Sequence, residues 1–194
     1  MTARARRANL PVMAVLAPPR SLRHPSHGET ATFLQAAHES DGARTILHLI
    51  LDPAGGEPLL RRAAYPKHVE VLEGALTLHV EGVAQRLEGG ETAVIAPGAV
   101  HRLANDELEP VSLLLDVVPG HAGFERALMA SYGLAADGLV SRRGIPMNPY
   151  HLATLLDWSE TRLSGAAGNA VARLAARACE MGLDVALAER YCAW

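Results

Sequence analysis

Lysine is nearly absent from this chain: Lys67 stands alone among eighteen basic residues, the rest being arginine. Against these stand 21 acidic residues, leaving a formal net charge of −3. There is no basic surplus of the kind that neutralises a phosphate backbone. Aromatic residues make up 4% of the chain, and only Phe33 and Tyr65 precede residue 120, which removes the stacking platform that single-stranded bases use. Nucleic acid is therefore not an expected partner. Cysteine is limited to Cys179 and Cys192, whose spacing fits neither a metal knuckle nor a disulfide framework, so a reduced, cytoplasmic protein is expected. No run approaches the ~18 apolar residues of a membrane span. Arg4, Arg6 and Arg7 ahead of residues 10–17 have the outline of a secretory leader. That apolar stretch is short, contains Pro11, and runs into Pro18 and Pro19, which disfavour cleavage.

What is present is enough apolar material for one domain. With 194 residues, 49% of them hydrophobic, the chain can bury its own core without a metal or disulfide. Residues 1–42, with Pro18, Pro19 and Pro25, are expected to supply one or two strands, such as 12–16, and to act as a dimer arm. Between 43 and 120 the period is two. A β-rich run at 45–51 closes on Asp52-Pro53-Ala54-Gly55-Gly56. Alternating segments at 68–71, 76–80, 83–87, 92–95 and 111–118 follow, each bounded by glycine or proline. Short strands at this spacing imply a mainly β antiparallel barrel or sandwich. From 121 to 194 the period becomes helical: Phe124, Leu128 and Tyr132 share one face, Asn148-Pro149 opens a second helix, and Val171, Leu174, Ala178 and Met181 mark another ended by Gly182. These helices are expected to pack on the outside of the barrel.

The β region also carries a spaced motif. Gly90, Gly98, His101 and Asn105 match the pattern Gly, five residues, Pro-x-Gly, two residues, His, three residues, Asn, with Ala96 in place of the proline. The stretch 55–119 thereby resembles the cupin family, small jelly-roll barrels built as a double-stranded β-helix around a pocket, and Val71-Leu72-Glu73-Gly74 looks like that family's mid-barrel turn. In the family a first motif, His-x-His, three or four residues, Glu, six residues, Gly, supplies three metal ligands and the second motif's His a fourth. Counting back from Gly74, the Glu position is Lys67, and the His-x-His positions are Leu60 and Arg62 or Arg61 and Ala63. Only His101 survives of that set, and an ammonium replaces a carboxylate where a cation would sit. The ordinary metal site is expected to be absent, with a divalent metal on His101 or on His24, His27 or His48 as the alternative.

If Val69 and Val71 line the interior, Lys67 shares their face while His68 and Glu70 point away, and Leu76, Leu78 and Val80 point inward while Thr77 and His79 point out. The expected pocket then carries Arg61, Arg62, Lys67 and His101. Guanidinium, ammonium and imidazole together suit a carboxylate or phosphate on a small organic molecule. The competing expectation for Lys67 is that its stem packs on the wall and its ammonium reaches water. The resemblance equally admits an enzyme, either a metal-dependent dioxygenase or an isomerase or epimerase using acid/base chemistry, and a structural barrel without ligand. A homodimer is expected from the way cupins pair.

Overall fold

The computed structural model describes residues 20–163 and 168–192; the strand expected at 12–16 lies outside them. In chain order the described elements are β1 (Ser21–His24), β2 (Glu29–Gln35), a short 3-10 turn (Ala37–Ser40), β3 (Thr45–Leu51), β4 (Arg61–Ala63), β5 (Lys67–Glu73), β6 (Ala75–Val80), β7 (Val83–Glu88), β8 (Thr92–Ile95), β9 (His101–Ala104), β10 (Val111–Val117), α1 (Ala122–Ala136), α2 (Pro149–Trp158), β11 (Thr161–Leu163), α3 (Gly168–Glu180) and α4 (Leu183–Tyr191). The strands form two antiparallel sheets, ordered β1-β2-β3-β10-β5-β8 and β11-β4-β9-β6-β7.

Alternation decides which side chains enter the space between the sheets. In β3 and β10 every second residue is buried, giving Leu47, Leu49 and Leu51 against Leu113, Leu115 and Val117. Ile95 of β8 extends that wall, and Leu76, Leu78, Leu87 and Leu103 form the opposite one. Each such side chain contributes about 1.5–3 kcal/mol on leaving water. The turns between strands are tight enough to require glycine. Gly74 takes a φ of +82, and a Cβ there would lie 2.8 Å from the Pro110 carbonyl oxygen.

The sheet begins earlier than the division at residue 43 implies. β2 pairs with β3 over its length, and Ala31 and Phe33 are buried in the barrel core. Residues 29–35 present an apolar face in strand register, and the core is where that face goes. Asn105 of the second motif is fully buried, its Nδ2 donating to the carbonyls of Leu51, Asp52 and Glu109 at 2.8–3.1 Å. Its place in the motif is thus to tie the β9–β10 connection to the chain leaving β3.

The helices also sit differently from the expected outer layer. Phe124 and Leu128 of α1 line an internal space together with Leu47, Leu49, Leu51, Leu103 and Leu115, so α1 lies across the open end of the barrel. His121 caps α1, its Nδ1 accepting from Phe124 N at 2.8 Å. Glu125, 3% exposed, accepts from Ala37 N at 2.6 Å and Thr45 Oγ1 at 2.5 Å. Those two bonds pin the helix to the β2–β3 connection. α2 starts at Asn148, whose Oδ1 accepts from Tyr150 N at 2.9 Å, with Pro149 in the first turn. α1 and α2 approach so closely that a Cβ on Gly123 would lie 2.0 Å from the Trp158 carbonyl oxygen. α4 packs Leu187 onto Ala127, Ala130 and Leu134 of α1. Among the described residues, no helix is long and apolar enough to cross a membrane.

Candidate functional site

Strand parity carries Lys67 inside. Lys67, Val69 and Val71 are buried while His68, Glu70 and Leu72 are exposed. The lysine is 1% exposed, so its ammonium does not reach water along its stem. Its Nζ lies 3.0 Å from Nε2 of His101, the first residue of β9. The other ring nitrogen, Nδ1, is 2.9 Å from the Ala99 carbonyl oxygen. A carbonyl only accepts, so Nδ1 carries the ring proton and Nε2 turns its lone pair toward Lys67. His101 is held neutral: burial first, then the neighbouring Lys67 charge, lower its pKa to about 3. Burial, then the nearby Arg61 charge, also hold the Lys67 amine well below its ordinary pKa, with Glu29 opposing.

Three further segments complete the polar end. Arg61 stands in register with His101, and its guanidinium pairs with Glu57, four residues earlier. The same Glu57 oxygen is 3.9 Å from Lys67 Nζ, too far for a hydrogen bond. Its second oxygen accepts from Leu103 N at 3.3 Å, fixing the carboxylate between β4 and β9. Glu29, at the head of β2, is 8% exposed, and burial raises its carboxyl pKa. Tyr132 of α1 is pushed well up in pKa by burial and by the Glu29 charge.

Glu29, Glu57, Arg61, Lys67 and Tyr132 line one end of a cavity of about 120 Å³ between the barrel mouth and α1, α2 and β11, which His101 reaches only through its contact with Lys67. Leu128, Ile145, Leu152, Leu155 and Leu156 form its apolar walls. The Phe124 ring centroid lies 5.8 Å from Lys67 Nζ and 5.9 Å from the ring of Tyr65, closing the roof. Arg61 Nε, Tyr65 Oη and Tyr132 Oη, all in residues of this lining, are buried and make no hydrogen bond of normal geometry.

Of the four residues expected in the pocket, the fold gathers Arg61, Lys67 and His101. Arg62 is a correction: it is exposed and stands opposite Arg162 of β11, because successive residues of β4 face opposite sides of the sheet. His48 lies on the outer face, its Nε2 2.8 Å from Ser112 Oγ of β10. His24 and His27 stack with ring centroids 3.7 Å apart, and burial lowers the pKa of each to about 4. Glu29, Glu57, Tyr65, Phe124 and Tyr132 were not anticipated. Glu29 had a legible signal, since it shares strand parity with the inward Ala31 and Phe33.

A divalent metal held by imidazole and carboxylate needs three or four converging donors. Here Lys67 turns its amine onto the nitrogen of His101 that would otherwise face a cation, and both ring nitrogens are engaged. The residues do not fit such an ion. Among the described residues, no group of three or more His, Cys, Asp or Glu side chains is assembled to hold one.

Comparison with known proteins agrees with this architecture. Residues 48–118 match the cupin domain, and the two-sheet barrel has the cupin fold. Similar solved structures include an RmlC-like cupin from Shewanella frigidimarina, 17% identical with a TM-score of 0.44 over 50% of this chain and 82% of that one. A predicted oxalate decarboxylase from Thermotoga maritima is 16% identical, with a TM-score of 0.44 over 47% of this chain and 80% of that one. The polyketide cyclase RemF from Streptomyces resistomycificus is 18% identical, with a TM-score of 0.44 over 61% of this chain and 80% of that one. No curated protein matches the sequence.

Proposed function

We propose that the barrel mouth binds a small organic acid beneath α1 and α2, without a metal. The observation that carries this reading is the convergence on the pocket that Lys67 floors of Arg61 Nε, buried without a hydrogen bond, and of Tyr65 Oη and Tyr132 Oη, buried beside Thr161 and Glu29 but in no hydrogen bond of normal geometry. Buried polar atoms are almost always satisfied, and a site with a few convergent donors in an apolar cavity is the usual form of a small-molecule site. The local charge suits an anion. Arg61 pairs with Glu57, burial raises the Glu29 carboxyl pKa, His101 is neutral, and an anion arriving beside Lys67 would favour its charged form. The test is a thermal-shift screen of carboxylates and phosphorylated sugars on the wild type and on Lys67→Met. Carboxylates that raise the melting temperature of the wild type and not of the variant support the reading; absence of any anion effect contradicts it.

A second reading, acid/base isomerisation of the bound acid, rests on the Lys67–His101 contact at 3.0 Å. Uptake of solvent deuterium into the bound acid would support it, and no uptake would leave binding alone. We further propose that the chain pairs as a homodimer; a monomer at micromolar concentration in light scattering contradicts that.

A further inference from the structure

We infer that Lys67 forms an imine with the carbonyl carbon of a 2-oxo acid held in this pocket; the inference rests on the organic-acid reading above and names its substrate class. A lysine becomes a nucleophile when it is desolvated in an apolar site beside another cation. Lys67 meets both conditions, being 1% exposed with Arg61 among the charges acting on it. The nearest carboxylate oxygen, that of Glu57, stands 3.9 Å away, an ion-pair distance without a hydrogen bond, and burial outweighs the opposing Glu29 charge in lowering the amine's pKa. Its one near contact is Nε2 of His101 at 3.0 Å, a neutral acceptor whose tautomer the Ala99 carbonyl holds. That nitrogen is placed to take a proton from the amine as it attacks and to return it to the departing oxygen. The buried donors that make no hydrogen bond of normal geometry supply the rest of the match. Arg61 Nε can bind the carboxylate, and the Tyr65 or Tyr132 hydroxyl the carbonyl oxygen.

The step balances without a further reagent. The Lys67 Nζ lone pair adds to the carbonyl carbon, the carbon–oxygen π electrons move to oxygen, and the oxygen is protonated. The carbinolamine then loses that oxygen as water, with both protons coming from the amine, leaving a carbon–nitrogen double bond.

The chain offers a favourable test because Lys67 is its only ε-amine. Full-length protein is incubated with pyruvate or phenylpyruvate and cyanoborohydride, and the adduct is read by intact mass and peptide mapping. The expected result is one adduct on Lys67, of the ligand's mass less one oxygen atom. Its yield should saturate with ligand, fall at least ten-fold when excess benzoate occupies the acid site without offering a carbonyl, and vanish at this position in Lys67→Met. Adducts confined to the terminal α-amine, or labelling of Lys67 that benzoate does not reduce, overturn the inference. If carboxylates stabilise the protein and Lys67 stays unmodified, the imine fails while the acid site stands. If no anion stabilises it and nothing is labelled, both fail.

Discussion

Lys67 Nζ rests 3.0 Å from His101 Nε2, so the only lysine of the chain is spent inside the barrel on a neutral acceptor. Burying an amine on such a partner lowers stability, because the folded environment disfavours the charged form that the unfolded chain keeps. Lys67→Met retains the stem and removes that cost. We expect the variant to gain ~1 kcal/mol in chemical denaturation at pH 7, in line with replacement of buried charged groups by apolar ones, and to lose carboxylate affinity ten- to hundred-fold, the worth of a charge-assisted hydrogen bond. A variant less stable than the wild type that binds carboxylates equally well would contradict both parts.

Arg61 and Arg62 are neighbours in sequence with opposite fates. Arg61→Ala is expected to abolish the carboxylate-induced thermal shift, while Arg62→Ala, on the exposed face of β4, should leave it intact and change stability by less than ~0.5 kcal/mol. Equal effects of the two substitutions on ligand binding would show that strand parity does not define the pocket.

Parity is also what made most of the barrel legible in the sequence. The alternation around Val69 and Val71, and of Leu76, Leu78 and Val80, with glycine at the turns, was enough to place Lys67 inside and His68 and His79 outside. Other features were hidden for physical reasons. Glu57 enters the pocket from the irregular segment after Gly56, where no period applies. β11 is three residues long and has meaning only as a partner of β4. The helical stripe of Phe124, Leu128 and Tyr132 marks an apolar face, but the same face suits the outer wall of a barrel or its open end. Only the tertiary contact with Leu47 and Leu115 decides between them.

Glu125 holds α1 over the mouth through Ala37 N and Thr45 Oγ1. Removing the carboxylate in Glu125→Ala strands both donors, and the expected loss is about 2–6 kcal/mol in equilibrium unfolding, at roughly 1–3 kcal/mol for each buried donor left unsatisfied. A loss below ~0.5 kcal/mol would show that the helix is held by apolar contacts alone.

Acidification is expected to weaken the fold. His24, His27 and His101 have pKa values lowered from 6.5 to about 4, 4 and 3. Between those values and 6.5 the unfolded chain binds protons that the folded chain refuses, so stability rises with pH across that window and falls as pH drops through it. Glu29, raised by burial, acts in the opposite sense as one group against three. Denaturation at pH 7 and pH 5 should show the loss, up to about 2 kcal/mol for each histidine. His24→Phe, which keeps an aromatic ring on His27, should reduce it. Equal stability at the two pH values would contradict the neutral-histidine account.

Metal content gives an independent check on the displaced ligand set. Elemental analysis after ordinary purification should find zinc, iron, manganese and nickel well below one ion per chain, and a chelator should leave the melting temperature unchanged. A stoichiometric ion lost together with stability on chelation would contradict the reading of Lys67 as the group that replaces a ligand.

The most direct measurement is a crystal structure grown with benzoate, which joins a carboxylate for the polar end of the cavity to a ring for its apolar walls. The account predicts the carboxylate within hydrogen-bonding distance of Arg61 Nε and Lys67 Nζ, with the ring between Leu128 and Leu155 under the Phe124 roof. Benzoate bound elsewhere, or this cavity closed by its own side chains while carboxylates still stabilise the protein, would contradict it.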